Sequence, residues 1–193
     1  MDENLKSKRG RYLYISKTNI ICFIMFVLLT FIDQLTKLAA FHYLRGQSIP
    51  LIPGVLELCY LENKGAAWGI LQNRTGLLVT ITAVVLIVIA YALYRLPNTR
   101  HFYLLRICLV LLSAGALGNF IDRICHHYVI DFIYFSLIDF PVFNFADCLV
   151  CISAVMILYC LLFKYKDDDF SRHHFYRNEE NYGTDDNDTS GRA

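Results

Sequence analysis

The sequence predicts an all-α membrane protein, a bundle of four transmembrane helices that carries a small extracytoplasmic β-sheet. Hydrophobic residues make up 56% of the 193 residues, which exceeds the roughly 45–50% usual in soluble domains. The excess forms four blocks, each near the length of about 20 apolar residues that crosses a bilayer as a helix. Between the blocks, two segments carry the alternation and the β-branched and aromatic residues that favour strands.

Four membrane spans follow from the apolar blocks. They cover residues 20–43, 76–96, 102–121 and 142–163. Pro97 marks the break between the second and third helices, because proline disrupts a helix interior. Pro141 stands at the start of the fourth helix, where the first turn tolerates proline. The first block is too long for a signal peptide and lacks a small-residue cleavage site after it, so we expect a retained span.

Lysine and arginine near the span ends predict that both termini face the cytoplasm. Five such residues precede the first span, whereas the outer segment 44–75 carries three and the outer segment 124–140 carries none. The chain is therefore divided into a cytoplasmic N-terminal tail (1–19), a membrane domain (20–163) and a cytoplasmic C-terminal tail (164–193). The C-terminal tail has too little apolar surface to fold alone, and we expect it to be disordered.

The two outer segments are expected to form short strands. Residues 55–60 alternate between apolar and polar side chains, and residues 128–134 are rich in β-formers. Cys59 and Cys125 are the two cysteines that fall in these segments. A disulfide between them remains an alternative to two free thiols, which we favour.

Ionisable side chains inside a bilayer are costly, so each one requires a partner or a function. Asp33 and Lys37 lie four residues apart in the first span and therefore share one helix face. We interpret them as an ion pair in preference to a pair that acts directly in catalysis.

A polar stripe climbs the third span to its outer end. It consists of Gly115, Asn119 and Asp122, with Arg123 following. Helix packing accounts for Gly115, and a cap directed to the lipid surface accounts for Asp122 and Arg123. Asn119 is explained less well, because an amide in lipid needs hydrogen-bond partners.

Two more polar residues lie near the outer end of the fourth span. Asn144 and Asp147 are three residues apart, and Asp147 is expected about two turns into the helix, roughly 8–9 Å from its start. Asp131 lies in the strand-like segment just before this span, and the loop is long enough to bring Asp131 against Asp147. All these groups are expected at one level, near the outer face of the membrane, and together they indicate a site.

Two neighbouring carboxyl groups suit peptide hydrolysis. Like charges that close cannot both ionise, so the pair holds one proton. The ionised member accepts a proton from water, and the protonated member polarises the scissile carbonyl. Zinc-protease and serine-hydrolase motifs are absent. A Ser–Lys pair with Lys37 or Lys64, and a metal held by His126, His127 and Asp131, remain weaker alternatives.

Four blocks, the last of them in two parts, match the motifs of a known family. Residues 33–37 (Asp-Gln-Leu-Thr-Lys) resemble its Asp-x-x-Thr/Ser-Lys, and residues 63–68 (Asn-Lys-Gly-Ala-Ala-Trp) its Asn-x-Gly-Ala-Ala-Phe. Residues 115–123 resemble its Gly-x-x-x-Asn-x-x-Asp-Arg. Residues 129–132 and 143–147 resemble its two aspartate motifs. By these blocks, in the family's order, the chain resembles the lipoprotein signal peptidases, also called signal peptidase II.

The resemblance implies a role for each matched residue. Asp131 and Asp147 would be the catalytic pair. The residues that would shape the site or bind substrate are Asp33, Lys37, Asn63, Gly65, Gly115, Asn119, Asp122, Arg123 and Asn144. The loop at Gly65 would approach the substrate closely and act as a lid. Trp68 departs from the family's usual Phe.

The resemblance also implies the substrate and the setting. The substrate would be a prolipoprotein whose cysteine carries a diacylglyceryl group, cut just before that cysteine. The enzyme would work as a monomer among the lipids of the bacterial inner membrane, with its site near the outer face. Globomycin-type cyclic peptides would inhibit it, and no metal or cofactor is implied. No nucleic-acid partner is expected at a net charge of +1.

Two other classes of function remain open on the residues alone. A small transporter or channel would use the same buried polar groups as a conduction path, but these groups cluster at one face of the membrane. An assembly factor would use the carboxylates only to hold helices together. Cleavage of a lipidated precursor separates both from a peptidase.

Overall fold

The computed structural model describes residues 3–65 and 71–165, with side chains from residue 17 onward. In this part of the chain, four helices are long and apolar enough to cross a membrane. A three-stranded antiparallel sheet accompanies them, so the predicted fold class is confirmed. The predicted C-terminal tail lies outside the described residues except for its first two positions.

The helices follow the predicted order with shifted ends. Their bounds are α1 Glu3–Tyr43, α2 Thr75–Arg95, α3 Tyr103–His126 and α4 Phe145–Tyr159, which continues as a π-helical turn at Cys160–Lys164. Helix α1 begins inside the predicted N-terminal tail. Helix α3 passes its predicted end at residue 121, so Asp122 and Arg123 lie within the helix. Both differences lengthen helices beyond the purely apolar blocks.

Helix α4 begins later than predicted. Asn144 is its N-cap: Oδ1 of Asn144 accepts from the backbone N of Asp147 (3.0 Å), and Oδ2 of Asp147 accepts from the backbone N of Asn144 (3.1 Å). The expectation that Asp147 lies two turns into the helix was therefore wrong, because Asp147 lies in the first turn. Phe143 instead pairs with Ile133 in a β-bridge. That pairing keeps the preceding segment extended and leaves Pro141 outside the helix.

The sheet joins the two outer segments. Strands β1 (Ile49–Ile52), β2 (Leu56–Asn63) and β3 (Val129–Tyr134) pair in that order. The register of β2 against β3 places Leu61 opposite Asp131 and Asn63 opposite Val129. The sheet thus brings Asn63, from the long loop, next to Asp131, from the short one. Cys59 and Cys125 are both free thiols.

The burial pattern of the helices is that of a membrane protein. Large apolar side chains such as Ile24, Ile87 and Val155 are more than half exposed, as expected where a helix faces lipid. The inside holds charge: Asp33 is 0% exposed and Lys37 is 1% exposed. The polar groups that the sequence places in the spans therefore turn inward.

Helices α3 and α4 meet at Gly115. A Cβ atom there would lie 3.0 Å from Cγ2 of Val150 and 3.2 Å from Cβ of Leu149, and it would overlap the carbonyl oxygen of Ala146. Only a residue without a side chain allows this approach, which is how small residues serve helix packing in membranes. The packing role expected for Gly115 is therefore supported by the structure.

We predict that Gly115→Ala destabilises the bundle by about 1–3 kcal/mol, the usual cost of overpacking. The measurement is the free energy of unfolding of the purified protein in mixed micelles. Gly76→Ala is the matched control, because a Cβ at Gly76 meets nothing within 4 Å. Equal stability of the two variants would contradict the close packing at Gly115.

Candidate active site

Asp131 lies on β3 and is 1% exposed. Its Oδ2 accepts from Nδ2 of Asn63 (2.8 Å), and its Oδ1 accepts from Nδ2 of Asn144 (2.6 Å). The first donor comes from the neighbouring strand and the second from the cap of α4. The carboxyl group is thus fixed between the sheet and the fourth helix.

Asp147 lies in the first turn of α4 and is partly buried. Its Oδ1 accepts from Nδ2 of Asn119 on α3 (2.8 Å), and its Oδ2 accepts from the backbone N of Asn144. The capping interaction that starts the helix therefore also sets the orientation of this carboxylate.

Asn144 joins the two carboxyl groups. Its side-chain amide donates to Asp131 and its backbone N donates to Asp147. Both carboxyl groups line one cavity of about 970 Å³. The structure therefore brings together the two aspartates that the sequence singled out.

The pKa of Asp131 is raised to about 7, first by burial and then by the negative charge of Asp147. The amides of Asn63 and Asn144, and the more distant Lys37, act in the opposite direction. Burial of this kind favours the neutral form of a carboxyl group, so Asp131 retains its proton to a higher pH than an exposed aspartate does. The cavity therefore contains a carboxyl group that can act as an acid near neutral pH.

A buried charge cluster lies behind the pair. Nζ of Lys37 lies 2.8 Å from Oδ2 of Asp33 and 3.0 Å from Oδ2 of Asp122. The predicted ion pair with Asp33 is present, and Asp122 joins it rather than capping Arg123 toward the lipid surface. One ammonium group therefore pairs with two carboxylates. The remaining acceptor positions of these carboxylates need a further hydrogen-bond donor.

Gln34 supplies that donor, and the sequence reasoning did not single it out. Its Nε2 donates to Oδ2 of Asp33 (3.2 Å), to Oδ1 of Asp122 (3.1 Å) and to the carbonyl of Gly118 (3.2 Å). An amide in a predicted span was the available signal, by the same argument that applied to Asn119.

The charge cluster reaches the carboxylate pair through Asn119. Nζ of Lys37 donates to Oδ1 of Asn119 (2.9 Å), so the amide nitrogen of Asn119 is turned toward Asp147. Asn119 thus has the partners that the sequence could not identify. Lys37 orients a catalytic candidate from a distance, through one amide.

Arg123 connects the outer loop to the site. It lines the cavity and donates to the carbonyls of Gly65 (3.2 Å) and Asn119 (3.5 Å). The backbone N of Gly65 in turn donates to Oδ1 of Asn63 (2.9 Å). Gly65 therefore lies close to the carboxylate pair, whereas Ala66, Ala67 and Trp68 of the expected lid lie outside the described residues.

Two cysteines of the cavity wall were also missed by the sequence reasoning. Cys148 and Cys151 line the cavity beside Asp147. The signal was their Cys-x-x-Cys spacing within the fourth span. His126 and His127, which the metal alternative used, are exposed at the end of α3. Among residues 3–65 and 71–165, no group of three metal-ligating side chains comes together.

The chain is similar in sequence to a known protein family and its members. Residues 25–163 match the family model described as "Signal peptidase (SPase) II". A lipoprotein signal peptidase of Streptococcus pyogenes serotype M1 is 39% identical over 146 residues, which are 75% of this chain and 92% of that protein.

Two solved structures are similar as well. A bacterial membrane enzyme determined in meso at 2.3 Å resolution is 35% identical, with a TM-score of 0.64, over 74% of this chain and 87% of that one. A second such structure, at 1.9 Å, is 33% identical, with a TM-score of 0.63, over 75% of this chain and 94% of that one.

We predict that Lys37→Met lowers the free energy of unfolding by about 3–5 kcal/mol, because it leaves two buried carboxylates without their cation. Arg45→Met is the matched control. It removes an exposed pair with Glu62 at 3.9 Å and the contacts of the guanidinium with the rings of Phe41 and Tyr60. Each of these exposed contacts is worth about 0–1 kcal/mol. Unfolding in mixed micelles measures both, and equal losses would refute the structural role of the buried cluster.

Proposed function

This chain belongs to the signal peptidase II family and is a membrane peptidase, and we propose that it acts as an aspartic endopeptidase with Asp131 and Asp147 as its catalytic pair. The observation that carries the proposal is the bridge through Asn144, which fixes both carboxyl groups at one cavity. Membership of this family supports the removal of signal peptides from prolipoproteins as the activity of this chain.

The proposed reaction needs one proton on the pair. The ionised carboxylate takes a proton from a water molecule, and the resulting hydroxide attacks the scissile carbonyl. The protonated carboxyl donates a hydrogen bond to that carbonyl and later passes its proton to the leaving amine. Burial of Asp131 keeps a proton available at neutral pH, and Asn63, Asn119 and Asn144 hold the pair in place.

The side chains that line the cavity are consistent with a lipidated substrate. Beside the polar pair, it presents apolar side chains from the segment before α4 and from α4 itself, including Val142, Phe143 and Val150. In the proposal, the peptide enters this cavity while the diacylglyceryl chains stay in the bilayer. The cut falls just before the modified cysteine, and a globomycin-type cyclic peptide competes for the same space.

The proposed orientation places the site at the outer face of the bacterial inner membrane. Lysine and arginine are concentrated on the side of the two termini, which supports a cytoplasmic location for both. The carboxylate pair lies at the opposite end of the helices, where the sheet covers the bundle. A translocated precursor presents its cleavage point on that side of the membrane.

The proposed enzyme works as a monomer, because a single chain contains all the residues that the proposed reaction uses.

We predict that Asp131→Asn and Asp147→Asn each reduce cleavage of a diacylglyceryl-modified precursor by about 10²–10⁴-fold or more, since each removes an acid–base partner. The measurement uses purified, membrane-inserted protein and a precursor that lacks the lipid for comparison. Asp139→Asn is the control, because Asp139 lines the same cavity but accepts from the hydroxyl of Tyr134 (2.6 Å). Wild-type rates in both pair variants would refute the aspartic mechanism.

We predict that kcat/KM falls as the pH rises above about 7, because Asp131 then loses its proton. Asn63→Ala is expected to move this limb to higher pH, since its amide stabilises the ionised form of Asp131. A pH–rate profile of both proteins measures the shift. A limb that stays fixed, or moves to lower pH, would contradict the assignment.

The same raised pKa affects stability in a defined direction. Between the ordinary value of 3.8 and about 7, the folded protein holds a proton on Asp131 that the unfolded chain has lost. The contribution of this group to the free energy of unfolding therefore decreases as the pH rises through that window.

A further inference from the structure

Cys148 and Cys151 form a pair of thiols on one face of α4. Residues three apart in an α-helix are neighbours, and helix geometry places their Cα atoms about 5 Å apart. This separation is within the range over which two cysteines are bridged. Both side chains line the cavity, Cys151 being exposed and Cys148 half-buried.

The pair adjoins the proposed catalytic carboxylate. Cys148 follows Asp147 directly, and Cys151 lies one turn further along the same helix. Between them, Val150 completes an apolar stretch of the cavity wall. A group that links the two thiols would therefore occupy the space beside Asp147 that the substrate uses.

The other cysteines do not offer such a site. Cys108 and Cys160 lie against each other, but both are 0% exposed in the core of the bundle. Cys22 is buried, and Cys59 and Cys125 do not line the cavity. Among the described residues, one thiol pair therefore faces the cavity and a second pair is enclosed.

We propose that Cys148 and Cys151 are a dithiol modification site that takes uncharged, soft, dithiol-directed reagents, above all trivalent organoarsenicals, and that its occupation closes the cavity to substrate. The effect on cleavage rests on the proposed function, whereas the modification itself does not. The reagent is apolar, which suits a wall formed by Val150 and Phe143.

The reaction balances without an oxidant. An organoarsenic oxide, R–As=O, reacts with the two S–H groups to form two As–S bonds. The oxygen of the reagent and the two thiol protons leave as one molecule of water, and arsenic stays trivalent. The second As–S bond forms within the molecule, so two thiols bind far more tightly than one.

The test uses the full-length protein in micelles, phenylarsine oxide as the reagent, and two readouts: intact mass and cleavage of the lipidated precursor. We expect one bridged adduct per chain and a loss of cleavage that a dithiol reverses and an equal concentration of a monothiol does not. Cys148→Ser and Cys151→Ser should each weaken reagent binding by roughly 10²–10⁴-fold, because one anchor is lost.

The control variants are Cys125→Ser, which removes an exposed thiol, and Cys160→Ser, which removes the enclosed pair. Both should keep the adduct and the inhibition, each measured against the variant's own untreated rate. An adduct that persists in Cys148→Ser and Cys151→Ser, or no adduct in the unaltered protein, overturns the proposed site.

The two readouts separate this inference from the proposed function. If the untreated protein does not cleave the precursor, the proposed function fails, and the mass measurement still decides whether the dithiol site exists. If the adduct forms on these two cysteines and cleavage continues unchanged, the claim that occupation closes the cavity is refuted.

Discussion

The rest of the site depends on the buried ion pairs that the ammonium group of Lys37 forms. A charge in the interior of a membrane bundle is stable only with partners, and Lys37 finds Asp33 on its own helix and Asp122 on α3. These two carboxylates then accept from backbone donors elsewhere: Asp33 from the N of Ala146 (2.9 Å) and Asp122 from the N of Ile130 (3.1 Å). One buried cation thus ties α1 and α3 to the start of α4 and to strand β3.

This arrangement separates carboxylates that hold the fold from carboxylates available for chemistry. Asp33 and Asp122 share one cation, whose nitrogen lies 2.8 Å from the first carboxylate and 3.0 Å from the second. Asp131 and Asp147 accept hydrogen bonds from neutral amides and a backbone N. Lys37 contacts this pair through Asn119, and its charge acts on Asp131 from a distance. With no cation among the described residues in direct contact with Asp131, burial raises the pKa of its carboxyl group to about 7. The difference in partners therefore suits Asp33 and Asp122 to holding the fold and, within the proposed function, Asp131 and Asp147 to catalysis.

Sequence periodicity identified the spans, the strands and the Asp33–Lys37 pair because these depend on local spacing. It did not identify contacts that depend on tertiary pairing. Phe143 is apolar and adjoins an apolar block, so hydropathy assigns it to the helix, whereas its bridge to Ile133 keeps it in the sheet. That misassignment placed Asp147 too deep. Similarly, residue spacing placed Asp122 on a polar face of α3. It could not show that Asp122 and Asp33 pair with the same lysine, Lys37.

The late start of α4 is also what makes the carboxylate pair asymmetric. Asp147 lies in the first turn of a helix, where the backbone dipoles favour negative charge, and its Oδ2 accepts the N-cap donor. Asp131 lies on a strand, which offers no comparable dipole, and burial raises its pKa. Within the proposed mechanism, Asp131 is therefore the member that carries the proton. If α4 began at residue 142, as hydropathy alone suggests, Asp147 would lie beyond the first turn and the pair would lose this distinction.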